Sequence, residues 1–77
     1  MTILERFETN AVLLGLESVP KFRNFTSTVG STRKAIKVSH DQMRSGFELL
    51  DWVSSHEGLS YHVEISDGDI YIVYKRI

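Results

Sequence analysis

Near the end of the chain, Asp67-Gly68 stands between two runs that alternate apolar and polar residues, 59–65 and 70–77, and no other feature restricts the fold so much. A two-residue hairpin loop needs positive φ at both central positions, which Asp-Gly supplies at low cost. With that turn fixed, the register follows: Ile65 pairs with Ile70, Val63 with Ile72 and Tyr61 with Tyr74, all six on one face. The opposite face sets Ser60, His62 and Glu64 across from Lys75, Val73 and Tyr71, a mixed surface suited to partial hydration.

The hairpin is preceded by a helix signal. Ser39 followed by Gln42 fits a capping box and predicts a helix from about His40. At 100° per residue, Met43, Gly46, Phe47, Leu50 and Val53 fall in one arc, with Leu49 at its edge and Arg44, Glu48 and Asp51 away from its centre. That arc is the expected core face. Gly58 suits a left-handed position after the helix.

The N-terminal half repeats this order with weaker signals. Thr2 with Glu5 is a second capping-box pattern, and Ile3, Leu4, Phe7, Ala11 and Leu14 share a helical face. Residues 11–16 also read as a buried strand, because Val12, Leu13 and Leu16 fall outside that face. Val19-Pro20 is the expected end of the helix. Residues 22–29 and 33–38 then form a second predicted hairpin, with Gly30-Ser31 as a Gly-first turn. In that register Phe25 faces Ile36 and Arg23 faces Val38, while Asn24, Thr26, Thr28, Arg33, Ala35 and Lys37 share the other face.

The chain is therefore predicted to be one α+β domain over residues 1–77. It contains two helix-hairpin units (αββαββ), forming a four-stranded antiparallel sheet with the helices on one face. The two units, 2–38 and 39–77, suggest an internal repeat in element order rather than in residue identity. A chain of 77 residues buries only about 60% of the surface it exposes when unfolded, so modest stability is expected.

Composition narrows the class. With 42% hydrophobic and 25% charged residues the chain is an ordinary globular protein rather than a disordered one. It has no cysteine, which removes disulfides and thiolate metal sites. No secretory leader or transmembrane run is visible, so a cytoplasmic location is expected. Size and composition are those of many small regulators from phages and mobile elements.

Charge is unevenly spread: residues 1–17 carry −2, residues 18–40 carry +5 with no acid, and residues 41–77 carry −4. The basic block, Lys21, Arg23, Arg33, Lys34 and Lys37, interleaves with Phe22 and Phe25 in a pattern that can contact phosphate and stack on bases. A solvated sheet face that resists edge pairing is the plainer account. A net charge of −1 gives no strong field toward nucleic acid.

Catalytic signals are weak. His62 and Glu64 on one side of a strand could meet His56, but His-x-Glu on a half-exposed strand is a frequent accident. Asp67-Gly68-Asp69 lacks the further oxygen ligands of a calcium loop. The stretch from Gly30 to Lys34 lacks the spacing and following helix of a phosphate loop. No catalytic residue, metal site or cofactor is therefore assigned. Trp52, almost opposite the centre of the core arc and flanked by Ser45, Glu48 and His56, is the candidate anchor for a protein partner. Packing of the same ring between the two helices is the competing account.

The resulting expectation is a non-enzymatic interaction module, monomeric or homodimeric. It binds a larger macromolecule, in the first place a protein, as a regulator or inhibitor. Nucleic-acid binding by the basic hairpin 21–37 is the alternative.

Overall fold

The computed structural model describes residues 1–23 and 33–77. Helix α1 spans Ile3–Leu13 and opens with the expected capping box. The Glu5 N–H donates to Thr2 Oγ1 at 3.2 Å, and the Thr2 N–H donates to Glu5 Oε1 at 3.4 Å. The helix stops well before Val19-Pro20. Gly15 adopts φ +76°, its N–H donates to the Val12 carbonyl, and the Leu16 N–H donates to the Ala11 carbonyl, both at 3.0 Å. This is the Schellman closure, in which a left-handed glycine satisfies the last carbonyls and an apolar contact follows. Leu16 and Ala11 accordingly join one buried cluster.

Early termination moves the first strand. β1 is Glu17–Phe22 rather than 22–29, and it pairs antiparallel with β2, Arg33–Val38. Ser18 lies opposite Ile36, and the pairing ends at Glu17↔Lys37, so Arg23 does not meet Val38. The register slips between Val19 and Phe22, around Pro20. Proline is tolerated there because β1 is an edge strand, where a missing N–H costs no ladder bond. The expected Gly30-Ser31 turn and Phe25 lie outside the described residues.

After β2 the chain enters a single 3₁₀ turn, His40–Gln42, and then α2, Met43–Ser54, so the α-helix proper begins three residues later than His40. The Ser39 N–H donates to Gln42 Oε1 at 3.3 Å, while Gln42 Nε2 donates to the Gly15 carbonyl at 3.0 Å. One amide thus ties the start of α2 to the end of α1. Strands β3, Leu59–Ser66, and β4, Asp69–Arg76, form the second hairpin in the expected register, with Asp67 at φ 53° and Gly68 at φ 82°.

The sheet order is β1-β2-β4-β3, all antiparallel. Alternation assigns each strand residue to a face. Ile36, Val38, Ile72 and Tyr74 form the main core with Phe7 and Ala11 of α1 and Leu49 and Val53 of α2. Phe22, Ala35 and Val73 form a smaller cluster on the other face. There Phe22 stacks on Tyr71 with ring centroids 4.4 Å apart.

The expected core arc of α2 is corrected. Leu49 is fully buried while Phe47 is 62% exposed, so the buried arc of α2 is rotated toward Leu49. Gly46 sets this approach: a Cβ there would lie 2.6 Å from Val38 Cγ1, so the helix backbone rests directly on β2. Tyr61, Val63 and Ile65 share a face with the core residues of β4, yet all three are exposed.

Candidate functional site

The first surface follows from those exposed side chains. Phe47 of α2 and Val63 of β3 line a shallow hollow of about 180 Å³ with Val38, Met43, Leu50 and Ile70, and no polar side chain takes part. Val63 is 45% and Ile65 71% exposed, and Tyr61 continues the strip along β3. Monomeric proteins seldom leave contiguous apolar surface uncovered beside a sheet edge, because it invites association. The sequence placed Phe47 in the core arc of α2 and put Tyr61, Val63 and Ile65 on one face of the hairpin. Nothing local to them shows that α2 rests on β2 and leaves the three β3 side chains exposed.

The second surface is basic. Arg33, Lys34, Lys75 and Arg76 line a hollow of about 250 Å³ at one end of the sheet, and Arg33 and Lys75 also line a neighbouring one with Ser60 and His62. Lys21 and Arg23 lie exposed at the same end, since Phe22 pairs with Arg33. Of the basic block, Arg33 and Lys37 share the face away from the helices, whereas Lys34 faces α1 and pairs with Glu8 at 3.5 Å. Lys37 pairs with Asp69 at 3.6 Å. Both pairs reduce the charge those lysines offer to an anion. Lys75 and Arg76 were missed because only the β2–β4 register brings them beside Arg33.

The residues around Trp52 are partly consumed by packing. The half-buried indole packs against the core, with Phe7 at a centroid distance of 6.4 Å, and the Arg6 guanidinium lies 5.5 Å from its ring centre. His56 stacks on it at 4.2 Å, and Nδ1 lies 2.7 Å from the Trp52 carbonyl oxygen. Glu48 is exposed on the same helix, and Ser45 is half-buried.

His56 therefore sits on the helix side, whereas His62 and Glu64 pair with each other at 2.8 Å on the far face of β3. The imagined three-residue arrangement is not assembled. Among the described residues no group of three His, Cys, Asp or Glu is placed to hold a metal ion, and no helix is long and apolar enough to cross a membrane.

Among the described residues, the ionisable groups show one large perturbation. Burial, with Glu8 adding to it through a hydrogen bond and its charge, holds the Tyr74 phenol far above its ordinary range. Asp41 is held below the usual carboxylate range by the hydroxyl of Ser39, in an exposed turn. Both are accounted for by packing and capping: the Tyr74 hydroxyl is engaged by Glu8 and Asp41 by the Ser39 hydroxyl. Comparison with family models, curated proteins and solved structures gives no match.

Proposed function

We propose that this chain is a small non-enzymatic binding module that regulates or inhibits another protein by docking on it in the cytoplasm. The observation that carries the reading is the apolar strip of Phe47, Val63 and Ile65 beside the open edge of β3. Such a strip combines a burial term with unpaired backbone groups, the two ingredients of strand-addition recognition. Trp52, Ser45, Glu48 and His56 form a secondary candidate, with the indole held by α1 and its exposed part as the contact. The test is capture of partners by wild-type protein and by a Phe47→Asp, Ile65→Asp variant. Both positions are exposed, so the variant should fold, and a partner retained equally by both would end the assignment.

A second reading, nucleic-acid binding, draws support from the concentration of Lys21, Arg23, Arg33, Lys75 and Arg76 at one end of the sheet. If it holds, affinity falls steeply with salt, because each neutralised phosphate releases counterion. Arg33→Ala with Lys75→Ala should then flatten the salt slope by about two units, as two phosphate contacts are lost. Absence of binding to single- or double-stranded probes at low salt excludes it.

The αββαββ order, with both helices against one sheet face and the second strand of each unit at the centre, is what duplication of an αββ unit would produce. Independent expression of residues 39–77 as a folded dimer would support that history.

A further inference from the structure

The two edges of the sheet are built differently. β1 carries Pro20 and a slipped register between Val19 and Phe22, both of which discourage another strand from joining. β3 contains no proline, and its pairing with β4 runs unbroken from Leu59↔Arg76 to Ser66↔Asp69. One edge is blunted and the other is left ready.

The backbone groups that β3 offers can be assigned. A two-residue turn makes Ser66 and Asp69 a hydrogen-bonded pair, and such pairs alternate along an antiparallel ladder. At the far end the Ile77 N–H donates to the Gly58 carbonyl at 3.2 Å, in the same phase. The even-numbered residues of β3 therefore bond to β4. The N–H and C=O groups of Tyr61, Val63 and Ile65 point away from the sheet.

The edge is also chemically symmetric about Val63. His62 and Glu64 flank it, Tyr61 and Ile65 come next, and Ser60 and Ser66 follow. We propose that β3 pairs antiparallel with β3 of a second copy of this chain, about a two-fold axis at Val63, to give a continuous sheet of eight strands. The proposal rests on the reading of this strip as a protein-docking surface, and it names the occupant.

The register follows from the side chains. With the axis at Val63, His62 lies opposite Glu64 of the second copy and Tyr61 opposite its Ile65, twice over by symmetry. Moving the axis to Glu64 sets two carboxylates face to face, and moving it to His62 leaves Glu64 opposite a serine. Imidazole opposite carboxylate, adding cross-strand hydrogen-bond partners beside the 2.8 Å His62–Glu64 pair within each chain, and aromatic opposite aliphatic favour the first arrangement. On the helix side, Tyr61, Val63 and Ile65 of each copy then lie beside those of the other, next to the two Phe47 rings, and the apolar strip is covered.

The experiment is sedimentation equilibrium of the full chain over a range of concentrations, with two variants. Wild type should be dimeric at about tens of micromolar. Val63→Lys, at an exposed position, should keep the wild-type circular dichroism spectrum and weaken the dimer about tenfold or more, because it sets two ammonium groups at the axis. In the cysteine-free chain, Val63→Cys should link two copies under mild oxidation, since directly opposed hydrogen-bonded residues have Cα atoms about 5.5 Å apart. Ile65→Cys should not, because its Cα and that of its symmetry mate would be about 14 Å apart.

A dimer that survives Val63→Lys, or that links at 65 in preference to 63, overturns the proposal. A wild type that stays monomeric also overturns it. If that monomer loses a protein partner on Phe47→Asp, Ile65→Asp substitution, the docking surface stands and only its occupant is wrong. If it loses none, both fail.

Discussion

The Tyr74 hydroxyl donates to Glu8 Oε2 at 2.6 Å and joins a central strand to the first helix across 66 residues of chain. Tyr74 is otherwise enclosed, with the Phe7 ring 4.6 Å away, and Lys34 Nζ lies 3.5 Å from the same carboxylate oxygen. The two partners are not equivalent. Glu8 is partly exposed and can turn to water and Lys34, whereas the phenol has no such recourse. Glu8→Ala should therefore cost about 1–3 kcal/mol, and Tyr74→Phe, which leaves no buried donor stranded, should cost less. Urea titrations of the two variants check the order, and a larger loss for Tyr74→Phe would show that the hydroxyl reaches water when Glu8 is gone.

Alkaline stability depends on the same pair. Burial first, and Glu8 second, raise the phenol of Tyr74 above its unfolded value of 10.0. A raised folded-state pKa means that the stability it reflects is fully present below pH about 10 and is lost as pH climbs beyond it. Unfolding followed by circular dichroism should accelerate above that point in wild type and less so in Tyr74→Phe. Identical alkaline profiles for the two proteins would remove Tyr74 from the account.

What could be read from the sequence divides along the range of the determining interactions. Capping boxes at Thr2 and Ser39 and the Asp67-Gly68 turn are contained within four residues, and they account for the start of α1, the 3₁₀ turn that leads into α2 and one full strand register. The end of α1 is also local, since Gly15 followed by Leu16 is a Schellman pattern that closes the helix before Pro20 is reached. β1 was misplaced because proline counts against a strand only where the ladder needs its N–H, and edge position is a property of the finished sheet. Phe47 and the basic end of the sheet were illegible for the same reason. Whether α2 covers β3, and whether Lys75 meets Arg33, depends on packing and on the β2–β4 register.

Gly68 tests the turn in isolation. It sits at φ +82°, and a Cβ added there meets nothing within 4 Å, so any cost is backbone strain alone. Gly68→Val should destabilise by about 1–3 kcal/mol, and Gly68→Asn by clearly less, because asparagine tolerates the left-handed region. Equal thermal stability for both would contradict the turn geometry.

Gly46 sets two effects against each other. Alanine is preferred to glycine in a helix by about 1 kcal/mol, but its Cβ would lie 2.6 Å from Val38 Cγ1 and 3.1 Å from Cγ2. Overpacking of that kind costs about 1–3 kcal/mol and should win, because Val38 is itself fixed in the core. Gly46→Ala is expected to be net destabilising. In a Val38→Ala background the same change should become neutral or favourable, and a double-mutant cycle measures the difference.

Trp52 is where packing and binding must be separated. The indole is half-buried, touches the main core and carries Arg6 and His56 against its ring, so truncation removes structure whatever else it does. A fully buried Trp→Ala change costs about 3–5 kcal/mol, and at this partial burial about 2–3 kcal/mol is expected. That is a large share of the stability of so small a domain. Trp52→Phe keeps an aromatic against Phe7 while removing the outer ring, and it should cost about 1 kcal/mol or less. If Trp52 anchors a partner, Trp52→Phe should weaken binding by about 1 kcal/mol or more at a temperature where its melting curve shows it folded. Unchanged binding by folded Trp52→Phe would leave the indole a structural role alone, as the bridge between α1 and α2.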